Sequence, residues 1–377
     1  MFPARIPIVS VPPSGFKNTY SLAFDGSDDY IDCGNDASLQ ITGNMTVSAW
    51  VKSSSSDRQR FITKYGSGGD DSFYLAIRPS TGYFRFNAAS GEAESSTDVA
   101  DGNWHHLVAQ YTTSTKLEVF IDGSSDGTDT SSIDATMVNS TQNLRIGIES
   151  DDEFPMVGNI DEVSIFNAIV SVGDLRNGSS GQGNAVPADL TGMSNLQGWW
   201  RMGDGDLDDG NVDGNGLICD QTNATLTETI INQVDRDFSG SNNWSASSGN
   251  ITLATANNQL TITRVSGSGN SADLVDAYIN FKQDTIYKVE IDVESYTGTW
   301  DVYDTANAGH FKRINATGLI TLYKKSYVGY PVTGIRLRQP TAETAVIVLN
   351  SISFKEVGGN AGVMVNMRAS DIVSDTP

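Results

Sequence analysis

Alternation constrains this chain more than any other feature of its sequence. Between Tyr20 and Phe166, apolar residues recur at every second position in short segments separated by clusters of Gly, Ser, Asp and Asn. Such a pattern fits strands, whose side chains point to opposite faces in turn, and leaves almost no helical periodicity. In Met45–Lys52, Val47, Ala49 and Val51 fall on one side, and Thr46, Ser48, Trp50 and Lys52 on the other. Lys116–Asp122 divides likewise, with Leu117, Val119 and Ile121 opposite Lys116, Glu118, Phe120 and Asp122. Trp104–Tyr111 repeats the division, so one face of each strand is expected in a core and the other in water. Asp122-Gly123 supplies the positive-φ positions of a hairpin turn. An antiparallel sandwich follows.

A second alternating block runs from about Phe238 to Val357. In its clearest strand, Tyr287, Val289, Ile291 and Val293 oppose Lys288, Glu290, Asp292 and Glu294, and Ala345–Phe354 reads as a closing strand. Between the blocks, Ser171–Ser194 reads as a connection with a short helical piece near Val172–Arg176, followed by a strand-like piece around Gln197–Met202. Gly203–Gly216 carries Asp204, Asp206, Asp208, Asp209 and Asp213 without a basic residue, and is too polar for a core. The fold class expected is all-β, with two antiparallel sandwiches.

The 377 residues suffice for two domains. Lys and Arg number 24 against 46 Asp and Glu, a formal charge of −22 that argues against nucleic acid and anionic membranes as partners. No apolar run approaches the roughly 20 residues of a membrane span. Residues 1–18 form an arm with Pro3, Pro7, Pro12 and Pro13 and without a small-residue cleavage site, so secretion by a leader is not expected. Such an extended segment suits docking along a partner protein, and equally a disordered leader. Cys33 and Cys219 match no zinc motif; burial as thiols is expected, with a mutual bridge as the alternative.

Several phrases occur in a family-like order. Ser21–Gly26, Asp29-Tyr30-Ile31, Met45–Lys52, Asp101–Val108, Val119–Gly123 and Gly158–Asn167 together resemble the laminin-G-like, concanavalin A-like jelly rolls over about 150 residues. Gly198-Trp199-Trp200-Arg201-Met202-Gly203-Asp204-Gly205 and the ending Met364–Pro377 resemble the end of laminin-G-like proteins in the virions of marine tailed phages. There the two phrases are nearly contiguous, which implies that the second sandwich is inserted into the first. Insertion at an exposed loop costs little, because closure entropy grows slowly with length. Asp237–Gly240, Asn243-Trp244-Ser245 and Ser351–Val357 resemble carbohydrate-binding-module jelly rolls. The expected organisation is an arm at 1–18, a first sandwich at 19–235 including a connection and acidic loop at 171–235, an inserted sandwich at 236–357, and a return at 358–377. The resemblance implies a multi-copy or oligomeric protein of the virion surface, assembled in the host cytoplasm. Other capsid or tail proteins, and a host-surface or environmental glycan, would be its partners.

Catalysis has no positive signal. Retaining glycosidases need two carboxyl groups about 5 Å apart, and Glu92 and Glu94 sit in a turn-like stretch, expected to be a solvated loop. The neighbours His105 and His106 lie on a strand and face opposite ways, so they cannot share a metal. For calcium, the resemblance implies a structural site joining the first strand to the last, at Asp25-Gly26 and Asp161. Asp204, Asp206 and Asp208 have the every-other spacing of a calcium loop, although Asp209 stands where its glycine is expected. Either set is otherwise a turn former or solvated loop. Glycan contact calls for aromatic faces, and the candidates are Trp50, Trp300, Tyr323 and Tyr327, although a packed, structural role is the preferred reading of Trp50. Trp104 and Trp244 are assigned to cores; of Trp199 and Trp200, at most one can face any given core. From Phe311 to Arg338 the chain carries Lys312, Arg313, Lys324, Lys325, Arg336 and Arg338 without an acidic residue. This patch would dock an acidic neighbour or an anionic glycan, or be a solvated strand face.

Overall fold

The computed structural model describes residues 16–66, 70–177, 187–205, 216–222, 236–240, 243–246, 249–265, 271–275, 286–304, 310–325, 334–341 and 343–377. The chain divides into two compact units. One comprises Met1–Gly210, Ile218–Thr222 and Gly362–Pro377, the other Asn211–Leu217 and Asn223–Ala361. No helix among the described residues is long and apolar enough to cross a membrane.

In chain order the first unit opens with β1 (Ser21–Asp25), β2 (Tyr30–Asp32) and β3 (Met45–Lys52). There follow β4 (Gln59–Lys64), β5 (Phe73–Ile77), β6 (Tyr83–Ala88) and β7 (Gly91–Asp98). Next come β8 (Trp104–Thr112), β9 (Lys116–Ile121), β10 (Ser124–Asp129), β11 (Arg145–Ile146) and β12 (Val157–Phe166). After α1 (Val172–Asn177) come β13 (Leu196–Trp200) and β14 (Leu217–Ile218). The second unit contributes β15 (Trp244–Ala246), β16 (Ile251–Ala256), β17 (Gln259–Arg264), β18 (Ser271–Val275) and β19 (Ile286–Thr297). It continues with β20 (Trp300–Asp304), β21 (His310–Ile314), β22 (Gly318–Lys325), β23 (Gly334–Arg338) and β24 (Ala345–Glu356). The chain then returns as β25 (Gly362–Val365) and β26 (Ile372–Val373).

Two antiparallel sheets make the first unit. The first has the order β10-β9-β8-β3-β12-β1-β26, with β13 also on β12, and the second β14-β25-β2-β11-β4-β5-β6-β7. Their inner faces share one core, in which Val47, Leu107, Val119 and Ile160 meet Phe61, Leu75, Phe84 and Ile146 with no exposed surface. Each such side chain contributes roughly 1.5–3 kcal/mol by leaving water. Cys33 and Cys219 are buried here as thiols. At one edge β10 lies against β7, and Gly127 allows it, since a Cβ there would stand 2.0 Å from the Glu94 carbonyl oxygen.

The expected wet face of β3 is not wet. Thr46, Ser48 and Trp50 are buried as deeply as the core side. Leu175, Ala188 and Leu190, from the segment read as a connection, and Trp199 of β13 pack with Val108 and Phe166 into a second apolar layer over the outer face of the first sheet. Its apolar residues are spaced too irregularly to announce themselves beside so much Gly, Ser and Asn. Trp199 and Trp200 divide as their adjacency requires, Trp199 into this layer and Trp200 into the main core. Trp104 is only half-buried, because its Nε1 donates to Asp375 Oδ1 at 3.1 Å rather than entering the core.

The second unit has two five-stranded antiparallel sheets, β15-β18-β23-β20-β21 and β16-β17-β24-β19-β22. Tyr287, Val289, Ile291 and Val293 enter its core as their alternation dictates, together with Trp244, Trp300, Leu337 and Phe354. Trp300 is fully buried and its Nε1 donates to the Thr297 carbonyl at 3.0 Å. Trp300→Ala is expected to cost about 3–5 kcal/mol in urea unfolding of the second unit; a loss below about 1 kcal/mol would contradict this packing.

Candidate functional site

With the first sheet's outer face covered, outward-pointing polar and aromatic side chains gather on the second sheet. Alternation places Tyr74 and Ala76 of β5, Arg85 of β6, and Glu92 and Glu94 of β7 opposite the core residues Leu75, Ile77, Phe84, Phe86 and Ala93. Glu92 and Glu94 are thus on a strand, not in the solvated loop expected of them, and their two-residue spacing turns both outward. Antiparallel pairing sets Arg85 directly opposite Glu94.

Across β4, β5 and β6 runs a groove of about 360 Å³, lined by Arg58, Arg60, Tyr74, Ala76, Arg78 and Arg85. The Arg60 guanidinium lies over the rings of Tyr74, Tyr65 and Phe154, at 4.1, 4.7 and 4.9 Å from their centroids, and pairs with Glu149. Arg78 Nη1 donates to both oxygens of Glu94, at 2.7 and 2.8 Å. Arg85 reaches Glu94 at 2.9 Å and Glu92 at 3.1 Å. Arg58 sits 4.9 Å from the Phe154 centroid and makes no ion pair among the described residues. Burial works to raise the Glu94 carboxyl, but hydrogen bonds from Arg85 and Arg78 outweigh it and hold the group below the ordinary range. Glu94 stays ionised, the opposite of what a general acid needs. None of these arginines was singled out from sequence. Their signal is positional, since Arg58 and Arg60 alternate along one strand entry and Arg78 and Arg85 flank one hairpin.

The expected union of Asp25 with Asp161 does not form. Asp25 pairs with Val157, whereas Asp161 lies four residues further along β12 beside Trp50 of β3. At roughly 3.3 Å per residue the two are too far apart for one ion. Asp25 instead gathers with Asp28 and Asp29, their carboxylate oxygens within 4.8 Å of one another. Burial raises Asp29 to about 6, reinforced by the charges of Asp25, Asp371 and Asp28 and opposed by the Asp25 amide. Gly26, at φ +82°, makes the turn, and a Cβ there would strike Val157.

Asp161 and Glu162 occupy a bulge in β12, with Glu162 at φ +49°. Ahead of the bulge β12 pairs with β1 and beyond it with β13. Asp161 accepts from Asn18 Nδ2 at 2.8 Å, and Glu162 from Trp199 Nε1 at 2.5 Å and Arg201 Nε at 3.0 Å. Burial pushes both carboxyls up, with Arg201 opposing the rise at Glu162. Arg201 also donates to the Lys17 carbonyl and covers the Phe16 ring. Asp204 accepts from the Thr19 and Tyr20 amides at 2.6 and 2.7 Å, so its carboxylate clamps the N-terminal segment rather than opening a calcium loop. Asp206 and Asp208 lie outside the described residues.

Two of the aromatic candidates, Trp50 and Trp300, are buried and not presented to a ligand. Trp50 is 5% exposed, lying 5.1 Å from the His106 ring beneath Arg176, and Trp300 is in the second core. Tyr323 is half-buried on β22, and Tyr327 lies outside the described residues. The basic patch is divided. Lys312 and Arg313 on β21, with Arg336 and Arg338 on β23, flank β20 in one sheet, whereas Lys324 and Lys325 end β22 in the other. Proximity in sequence misled here because β22 crosses to pair with β19. Arg313 is held by the buried Asp301 at 2.8 and 3.2 Å.

Residues 25–176 match the family described as the concanavalin A-like lectin/glucanases superfamily. The match ends in α1 and covers most of the first sandwich. A search of curated proteins finds no match. Among solved structures, the chain is similar to a heptameric SAP-like pentraxin from Limulus polyphemus, at 13% identity over 46% of this chain and 87% of that one, with a TM-score of 0.37. It is also similar to a protein from Bacteroides ovatus described as a candidate carbohydrate binder, at 18% identity over 55% of this chain and 56% of that one, with a TM-score of 0.42. A carbohydrate-binding module of family 29 shares 14% identity over 34% of this chain and 88% of its own, with a TM-score of 0.26. The chain is all-β, and its first unit has the concanavalin A-like, lectin-type sandwich.

Arg201→Met is expected to cost about 3–5 kcal/mol at neutral pH, because it strands the buried Glu162 carboxyl. Since the folded pKa of Glu162 lies above the unfolded one, its contribution is fully present below about pH 4.5 and lost as pH rises through neutrality. Urea unfolding between pH 5 and 8 should therefore show a declining midpoint, to which the raised carboxyls of Asp29 and Asp161 also contribute, and Glu162→Gln should make the decline shallower; the same slope in that variant would contradict the assignment.

Proposed function

We propose that this chain is a non-catalytic glycan-binding protein displayed on a tailed-phage particle, as a capsid decoration or part of the tail-fibre apparatus. The observation that carries the binding role is the groove lined by four arginines and Tyr74 on the outer face of the second sheet of a concanavalin A-like sandwich. Beside that groove, Glu92 and Glu94 are paired with arginines. Asp161 and Glu162 have raised pKa values but are sealed under Trp199, Arg201 and Asn18. The particle assignment is supported by the Gly198–Gly205 and Met364–Pro377 phrases. Multiple copies would contact other virion proteins, leaving the second sheet of the first unit toward the surroundings.

Polysaccharide-coated plates are expected to retain the protein while releasing no reducing ends, and labelled antibody is expected to mark intact particles by electron microscopy. Turnover abolished by one carboxylate substitution would make it a depolymerase instead. Silence towards every glycan, with particles labelled, would leave a purely structural cement protein.

The same reading gives calcium a structural place at Asp25, Asp28 and Asp29, whose clustered oxygens suit a hard cation. Calcium is expected to raise the melting temperature and chelator to lower it, with no response in Asp25→Asn/Asp28→Asn. A melt indifferent to chelator would contradict this.

A further inference from the structure

Resting on the glycan-binding reading, we propose that the groove across β4, β5 and β6 takes an acidic polysaccharide, its carboxylate or sulfate groups received by Arg58 and Arg78. Four arginines line the groove in a chain of formal charge −22. Among the described residues the carboxylates that meet them are three, Glu149, Glu92 and Glu94, so one positive charge is left over. The surplus falls on Arg58, which is exposed and rests on Phe154 rather than on a carboxylate.

Arg78 is also available. Its side chain is 46% exposed and directs only Nη1 to Glu94, which Arg85 shares. A guanidinium carries five donors in a planar fork that matches a carboxylate or sulfate. Arg58 and Arg78 therefore keep donors for an incoming anion, whereas Arg85 directs Nε, Nη1 and Nη2 to Glu94 and Glu92. Arg60 has the opposite role. Stacked on Tyr65, Tyr74 and Phe154 and paired with Glu149, it is a fixed wall of the groove.

The floor between these walls is Ala76, a side chain too small to obstruct a ring. The volume of about 360 Å³ lies in the usual range for small-ligand sites and suits a short stretch of sugar residues. The overall acidic field repels polyanions at long range, so affinity depends on these local contacts and falls with salt.

The test is biolayer interferometry of the full chain against alginate and polygalacturonate as carboxylated probes, dextran sulfate as the sulfated probe, neutral dextran and laminarin, and single-stranded DNA. At least one acidic polysaccharide is expected to bind, with affinity falling about tenfold between 50 and 300 mM salt. Arg58→Ala/Arg78→Ala should weaken it by about tenfold or more, as expected for lost charge-assisted bonds. Arg336→Ala/Arg338→Ala, in the second unit, should leave it unchanged, and melting curves check that both variants fold. The carboxylated and sulfated arms identify the acidic group.

Neutral glycans bound as tightly and without salt dependence would overturn the acidic assignment while leaving glycan binding intact. Acidic binding indifferent to Arg58→Ala/Arg78→Ala, or preferential binding of DNA, would overturn it as well. Silence on every glycan would overturn this inference and the reading it rests on.

Discussion

The buried charge of Glu162 is the constraint on which the first unit is organised. A carboxyl taken out of water must be met by donors, and the bulge at Asp161 and Glu162 aims it at Trp199 and Arg201. The same bulge divides one edge of β12 between β1 and β13. Holding β13 in place brings Trp200 into the main core and Trp199 into the apolar layer outside it. Arg201 then fixes Phe16 and Lys17, so the N-terminal segment is fastened to the same point.

One consequence is functional. Because that layer covers the outer face of the first sheet, Trp50 and His106 are sealed. On the second sheet Arg58 and Arg78 stay exposed, and there charge is handled differently. Glu94 is paired twice at a partly exposed site, an arrangement that keeps both carboxylate and guanidinium groups ionised. Such surface pairs add little stability, with a median of about 0–1 kcal/mol. Their effect here is to hold Arg78 beside the groove with donors to spare, while Arg85 is fixed on Glu94 and Glu92.

The all-β class and the inward set of most strands were legible because a period of two admits one answer once a face is apolar. Tyr287, Val289, Ile291 and Val293 are the clearest case. What alternation cannot say is whether the polar-looking face has a cover. The face of Trp50, Ser48 and Thr46 was misread for that reason, as much of the cover came from Leu175 and Leu190 in a segment dominated by turn residues. Adjacency in sequence failed for a related reason. Lys312, Lys324 and Arg336 lie within one basic stretch, yet their strands alternate between two sheets. The groove was invisible because it needs register, which sets Arg85 against Glu94 and Ala76 against Arg60 and Arg85. The calcium pair failed on distance along a strand, which a motif comparison does not measure.

Hydrogen exchange of the full chain, with and without a saturating acidic polysaccharide, tests the account most directly. Slowed exchange is predicted in the β3–β4 and β5–β6 turns that carry Arg58 and Arg78, with the covered β3 and the strands of the second unit unchanged. Protection confined to the second unit, or spread over the first sheet instead, would contradict it.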